Sequence, residues 1–387
     1  MTDTVVIDQA YQSINITVDG LPTEVLLDRD NWILKEVTHI TTPLVSCTDY
    51  SINDETGNTN GVPDPGEQVD LVVMLLNTGM EATGLAASIS TQDPDVDIVD
   101  GTAEFGSLGY GQTASNGDDP IVFEVDAEAK SKVVLFVMSI TADGGYSMSD
   151  SIYITIGPAT ILVVDDDLGE EYEEYYTDGL FLSYPFDLWE VATKGVPSET
   201  LFYYEAVVWL TGDERTSTLT SEEQTALKQY LDGGGHLFVT GQDMGYDLVE
   251  TGSAEDAGFY RDYLHAEYVS DVSPDNILSG VSGDPISDDV SYLSLAAGGA
   301  DNQDSPSIIE PLSGASSVFT YHPSGTTAGI KYAAEYRMVY FAFGYEGVGD
   351  FGTDHAKRRA SIMDNVIKWF RYVPQKGDVN EDGEVNV

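Results

Sequence analysis

The stretch YLDGGGHLFVTGQDMG (230–245) decides the fold expected for the C-terminal half of this 387-residue chain. Its glycines end a helix, an apolar run follows as a buried strand, and a Gly-x-Asp-x-Gly phrase stands where that strand ends. The preceding helix has a predicted capping box, formed by Thr220 and Glu223, and Gly233 is its predicted C-terminal cap. This order of elements predicts a parallel sheet with crossover helices.

Strands and helices alternate in the same way over residues 158–373, which predicts a doubly wound α/β domain. The segments ATILVVDDD (159–167) and YEAVVWLTG (204–212) are apolar runs that end in acidic residues or glycine. The last helix is predicted from about Thr353 to Tyr372. Ligands of open parallel sheets bind outside the carboxyl ends of the strands, so the residues that follow these strands form the candidate site.

This order of elements, together with YLDGGGHLFVTG, resembles the class I glutamine amidotransferase-like domains, which are flavodoxin-like and include the ThuA-like group. In those amidotransferases a Gly-x-Cys-x-Gly elbow presents the nucleophile, and a later His-x-Glu pair completes the triad. The resemblance puts Asp243 in the place of the cysteine and Glu346 in the place of the glutamate, without the histidine. The single cysteine, Cys47, lies in another predicted domain, so amidotransferase activity is not expected.

Three interpretations of Asp243 stay open. A carboxylate can act as a nucleophile when a base then activates water, and Glu346 or His355 could serve there. Alternatively, Asp243 caps the following helix or hydrogen-bonds the loop, as acidic residues often do at such junctions. The third interpretation is a metal or a small polar ligand bound at this edge of the sheet.

Residues 43–157 have the alternation of an all-β domain. Strands are predicted at 69–77, 84–91, 121–125, 132–140 and 150–157. Their spacing is typical of an immunoglobulin-like sandwich. The predicted fold class is therefore an immunoglobulin-like β-sandwich followed by a doubly wound α/β, flavodoxin-like domain.

A calcium loop is predicted at DETGNTNGVPDPGE (54–67). Its glycines permit sharp turns, and calcium prefers six to eight oxygen ligands in a flexible loop. The predicted ligands are Asp54, Asn58, Asn60, Asp64 and Glu67. The phrase resembles the start of CARDB-like and related immunoglobulin-like modules of secreted bacterial proteins. The alternative is an acidic turn held by ordinary Asx-turn hydrogen bonds.

Residues 374–387 are predicted to be a linker and a truncated calcium loop. In DVNEDGEVNV (378–387) the spacing is that of an EF-hand-type loop that stops before its last ligand. Its predicted calcium ligands are Asp378, Asn380, Asp382 and Glu384. The phrase resembles the opening of a type I dockerin. That resemblance implies weak calcium binding here, and cohesin as a partner only if the dockerin were complete.

Residues 1–40 are predicted to be orphan β-strands, the end of an upstream β domain. The phrase EVLLDRDNWILKEV (24–37) resembles the closing strands of the β-sandwich of M1-family metallopeptidases. The zinc motif of that family, His-Glu-x-x-His, does not occur in the sequence, so no peptidase activity is carried over. The first residues do not form a signal peptide. We expect the signal to lie upstream and the protein to be extracellular or on the cell surface.

The net charge of the chain restricts the classes of partner that it can bind. Against 67 Asp and Glu there are 16 Lys and Arg, a net charge of −51, which repels nucleic acid and anionic membranes. No apolar run is long enough to predict a membrane span. We therefore expect a non-catalytic accessory region, a spacer or binding module, of an exported hydrolase such as a metallopeptidase. The alternatives are a hydrolase acting through Asp243 and a module that binds polysaccharide or cell-surface material.

Overall fold

A computed structural model of the chain describes residues 42–55, 57–180, 183–352 and 354–372. The strands predicted within 1–40 lie outside the described residues. So does the predicted C-terminal calcium loop with its four ligands, Asp378, Asn380, Asp382 and Glu384.

The N-terminal part consists of two antiparallel sheets built from nine strands. The strands are β1 Val45–Asn53, β2 Gln68–Asn77, β3 Ala82–Ser90, β4 Val96–Asp100, β5 Thr102–Leu108, β6 Thr113–Ser115, β7 Ile121–Val125, β8 Lys132–Ala142 and β9 Tyr146–Ile156. One sheet has the order β1-β2-β7-β4 with β6 beside β2, and the other has the order β5-β3-β8-β9. Alternate side chains such as Val69, Leu71 and Val73 are buried in a core that both sheets share, as period-two alternation predicts.

The C-terminal part is built on one sheet of eleven strands. They are β10 Ile161–Asp165, β11 Phe186–Glu190, β12 Ala206–Leu210, β13 His236–Thr240, β14 Ala266–Ser270, β15 Ile277–Gly280, β16 Leu293–Ser294, β17 Ile308–Pro311, β18 Ala315–His322, β19 Thr327–Ala333 and β20 Arg337–Phe341. The strands β11-β10-β12-β13-β20 are parallel neighbours. The other six strands pair antiparallel, beginning with β19 against β20.

Helices cover both faces of the parallel strands. The α-helices of the described residues are α1 Glu173–Leu180, α2 Val191–Lys194, α3 Ser221–Asp232, α4 Ala254–Asp262 and α5 His355–Arg371. Residues of α1 and α5 join the core on one face, and residues of α3 and α4 join the core on the other. The capping box of Thr220 and Glu223 on α3 is confirmed, as is its C-terminal cap at Gly233.

The predicted fold class, an immunoglobulin-like sandwich followed by a doubly wound flavodoxin-like domain, is wrong. The described chain is mostly β-sheet with short helices, and its largest sheet is mixed rather than parallel. The physical reason is that a buried apolar strand has the same sequence pattern in a parallel and in an antiparallel pair. Residues 270–316 also contribute three antiparallel strands, β15, β16 and β17, which the sequence did not predict.

Within the described ranges, no helix combines the length and the apolarity that crossing a membrane would require.

Candidate functional site

Four neighbouring parallel strands end at the same edge of the large sheet, which we call the carboxyl edge. The strands β10, β12, β13 and β20 end at Asp165, Leu210, Thr240 and Phe341. The residues that follow them therefore lie side by side. They are Asp165–Asp167, Thr211–Glu214, Gly241–Asp243 and Gly344–Glu346.

Asp243 occupies the sharp turn between β13 and a short helical segment. Its φ is +64°, a left-handed conformation that few residues other than glycine adopt. Its carbonyl accepts a hydrogen bond from the N–H of Asp247 at 2.8 Å. The side chain does not cap the helical segment, which begins after Gly245. Instead the Ser305 hydroxyl donates a hydrogen bond to Asp243 Oδ2 at 2.6 Å. This contact agrees with the interpretation in which Asp243 is hydrogen-bonded to a loop.

The surroundings of Asp243 hold its carboxyl in an unusual state. The side chain is 1% exposed, and burial raises its pKa to about 6, while the Ser305 hydrogen bond and Arg215 oppose that rise and Asp271 adds to it. Arg215 Nη2 lies 3.6 Å from both Asp243 Oδ1 and Asp271 Oδ2. That distance allows attraction but is too long for a hydrogen bond. The Oδ1 atoms of Asp243 and Asp271 are both buried without a hydrogen-bond partner.

Glu346, the second predicted catalytic residue, is fully buried. Its carboxylate accepts hydrogen bonds from the Tyr176 hydroxyl at 2.5 Å, from Asn302 Nδ2 at 2.9 Å and from Gln303 Nε2 at 3.0 Å. Burial raises the pKa of Glu346, and the bonds from Tyr176 and Asn302 oppose that rise. With this many donors the carboxylate is a fixed structural acceptor.

The segment 302–305 closes over the carboxyl edge, held by Gln242. Gln242 Nε2 donates to the carbonyl of Asn302 at 2.7 Å, and Gln242 Oε1 accepts from the N–H of Ser305 at 2.7 Å. Gln303 Oε1 accepts from the N–H of Gly344 at 2.6 Å. This segment was not predicted to belong to the site, and neither were Arg215, Asp271 and Tyr176, because these residues are distant in the chain and carry no local motif.

His355 is not part of this arrangement. Its Nδ1 accepts a hydrogen bond from the N–H of Asp350 at 3.0 Å, and its ring lies beside Gly298. Within the described residues His355 makes no hydrogen bond to Asp243 or to Glu346. The structure therefore does not assemble the three predicted catalytic residues into one hydrogen-bonded set.

A second group of acids lies at the other side of the carboxyl edge. Asp165, Asp167 and Glu173 each place a carboxylate oxygen within 4.8 Å of the other two. Burial, followed by repulsion from Asp167, raises the pKa of Asp165 to about 8. Asp166 points elsewhere and accepts from Trp209 Nε1 at 3.0 Å. Asp165, Asp166 and Asp167 were predicted from the sequence to lie at the carboxyl ends of the strands, whereas Glu173 was not.

The predicted calcium loop folds into a compact turn that brings its five candidate ligands together. Asp54 Oδ2 accepts from the N–H of Asn60 at 2.9 Å. The Glu67 carboxylate accepts from the N–H groups of Asn58 and Asp64 at 3.0 and 3.2 Å. Asn58 Nδ2 and Asn60 Nδ2 both donate to Asp64 Oδ2, at 2.6 and 2.9 Å. The oxygens are thus held by backbone N–H groups and amide nitrogens of the loop, and the three acidic candidate ligands of this loop are not among the described carboxylates that gather within 4.8 Å.

A groove with a volume of about 1080 Å³ opens at the opposite end of the parallel strands, beside strand starts such as Ala206, His236 and Arg337. The acidic residues of the carboxyl edge do not line it. The groove and the buried acids are therefore separate features.

No protein-family model and no curated protein matches this chain. Among solved structures it is similar to a protein from Thermoplasma acidophilum that is provisionally described as one of the subunits of a GMP synthase, with a TM-score of 0.38, 13% identity and coverage of 54% of this chain and 93% of that one. A provisionally described ThuA-like protein from Bacteroides uniformis gives a TM-score of 0.38, 13% identity and coverage of 56% and 93%. A sporulation control protein from Bacillus subtilis gives a TM-score of 0.19, 17% identity and coverage of 36% of this chain and 55% of that one. Likeness at this level assigns neither a family nor an activity.

Proposed function

We propose that this chain is a non-catalytic accessory region of an exported hydrolase. In this proposal the N-terminal sheets form a spacer stiffened by calcium at residues 54–67. The large sheet is a binding or structural module. Export and the hydrolase parent rest on the sequence resemblances at the two ends of the chain and on its net charge of −51.

The observation that carries the non-catalytic proposal is the state of Asp243. An attacking carboxylate has to reach the substrate and needs a base that activates water. Asp243 is 1% exposed and hydrogen-bonded to Ser305. Glu346 is occupied by three donors, and His355 is hydrogen-bonded elsewhere. These contacts favour a structural role for the elbow over a catalytic one.

The calcium part of the proposal is supported by the composition and the compactness of the 54–67 loop. Side-chain oxygens of Asn58 and Asn60 accept backbone N–H groups, and the amide nitrogens face Asp64. Rotating both amides would turn oxygens toward the Asp64 carboxylate and create an all-oxygen site of the kind calcium prefers. The bound form therefore requires side-chain rotation rather than refolding of the loop.

Thermal unfolding with calcium and with chelator, at fixed ionic strength, tests the calcium part. We expect calcium to raise one unfolding transition by several degrees and magnesium to raise it less. Asp64→Asn should abolish that rise. The matched control is Asp70→Asn, which removes one carboxylate from the adjacent strand β2. An equal rise in the Asp64→Asn variant would refute calcium binding at this loop.

A specific observation favours a second candidate, hydrolysis through Asp243. The left-handed backbone at Asp243 is of the kind that persists at functional sites, and Arg215 lies 3.6 Å from its carboxylate. Turnover of ester, peptide and glycoside substrates should be compared in the unaltered chain and in Asp243→Asn. A turnover that disappears in a folded Asp243→Asn variant would replace the non-catalytic proposal.

A further inference from the structure

The group formed by Asp165, Asp167 and Glu173 has the geometry of a cation site. The three contributing oxygens lie within 4.8 Å of one another. Calcium binds oxygens at about 2.3–2.6 Å, so one hard divalent ion between the three carboxylates is within reach of all of them.

In this group, each carboxylate has one buried oxygen that lacks a hydrogen-bond partner. Asp165 is 5% exposed and Asp167 is 2% exposed. Asp165 Oδ1, Asp167 Oδ2 and Glu173 Oε2 are each buried without a hydrogen-bond partner. Buried polar atoms in folded proteins nearly always have a hydrogen-bond partner, so three neighbouring atoms without one indicate a binding site.

The local backbone explains why one oxygen of Asp167 is satisfied and the other is free. Leu168 and Gly169 both have positive φ, and this turn brings the N–H of Gly169 to Asp167 Oδ1 at 2.9 Å. Asp167 Oδ2 is left without a hydrogen-bond partner. The turn therefore orients the carboxylate instead of neutralising it.

Among the described residues, no lysine, arginine or histidine forms an ion pair with any of the three acids. The neighbours that act on them electrostatically include further acids, Asp166 and Glu214. An ionised carboxylate in such surroundings is costly unless an opposite charge is present.

We propose that Asp165, Asp167 and Glu173 bind a hard divalent cation such as calcium at the carboxyl edge of the large sheet. The ion takes one oxygen from each carboxylate, and its remaining positions are open to water or to an oxygen of a bound ligand. This site is separate from the 54–67 loop and does not depend on whether the chain is catalytic.

The first test is calorimetric titration of the chelator-treated full chain with CaCl₂ and then with MgCl₂. We expect Glu173→Gln to weaken one class of calcium sites at least tenfold, because even residues that only orient a metal ligand are worth about 10–100-fold in affinity. The control Asp64→Asn, in the 54–67 loop, should leave that class unchanged. Identical titrations of the unaltered chain and Glu173→Gln would overturn the proposal.

A second measurement keeps the test independent of how the variants fold. Trp209 Nε1–H is bonded to Asp166, which lies between the two aspartate ligands. Substoichiometric Mn²⁺ added to the unaltered chain should therefore broaden the indole N–H resonance of Trp209 before those of Trp189 and Trp369. Broadening that leaves Trp209 unaffected would overturn the proposal.

Discussion

Asp243→Asn should stabilise the protein at neutral and alkaline pH, although it alters a buried residue of the predicted elbow. Asparagine has the same shape and can still accept the hydrogen bond that Ser305 donates at 2.6 Å. The substitution removes the charge and puts an NH₂ group in the place of Oδ1, which has no hydrogen-bond partner. Burial raises the pKa of Asp243 from its ordinary value of 3.8 to about 6, so the ionised form is the unfavourable one in the folded state.

The sign and size of the effect follow from that pKa. A carboxyl whose pKa is higher in the folded state stabilises the fold below the unfolded pKa, and this contribution is lost as the pH rises through about 6. Each unit of pKa corresponds to about 1.36 kcal/mol, so ionisation of Asp243 costs about 3 kcal/mol at pH 8. Asp243→Asn avoids that cost. The stabilities of the two proteins should converge below about pH 4, move apart between about pH 4 and 6, and differ by a constant amount at higher pH.

Urea unfolding in chelator at pH 4.5, 6 and 8 measures this difference. The control is Asp262→Asn, which removes an exposed carboxylate from α4 and reports the general effect of one less negative charge on a chain of net −51. Parallel curves for Asp243→Asn and the unaltered chain, or a variant that is less stable at pH 8, would refute the reasoning.

Three further predictions concern packing, the covering segment and calcium. Gly241→Ala should destabilise the fold by about 1–3 kcal/mol, because its Cβ would lie 1.9 Å from Thr211 Oγ1; urea unfolding should show partial recovery in the Thr211→Ala background. Gln242→Ala should cost about 2 kcal/mol or more and increase hydrogen exchange in residues 302–305, whereas unchanged exchange would contradict the hydrogen bonds drawn there. Removing calcium should lower the melting temperature of the unaltered chain more than that of Asp64→Asn, and an equal change in the two proteins would count against the 54–67 loop.

Local patterns predicted the elements that depend on neighbours in the chain. The capping box of Thr220 and Glu223 is a contact across three residues, and it was found as predicted. The five strands expected within 69–157 are present, with ends that differ by up to four residues. Short-range chemistry of this kind is fixed by propensity and spacing, so one sequence is enough to reveal it.

Features that depend on contacts distant in the chain were not predictable. Gln242 and Asn302 are sixty residues apart, and no spacing rule connects them. The mixed sheet was missed for a similar reason, since β17 and β18 pair with strands chosen by tertiary contacts. Glu173 was not predicted as a site residue, because its closeness to Asp165 depends on how α1 packs against β10.

The buried carboxylates of the carboxyl edge have fewer hydrogen-bond donors than they could accept. The two groups of acids at this edge reduce the cost of their buried charge in different ways. At Asp243, an arginine and a hydroxyl reach the carboxylate, and the remaining cost appears as a raised pKa. At Asp165 and Asp167 no basic side chain forms an ion pair within the described residues, and the oxygens face one another. A buried group of this kind has to take up either a proton or a cation. A proton can bridge only two of the oxygens, whereas one divalent ion can satisfy all three, so the third acid, Glu173, favours the cation.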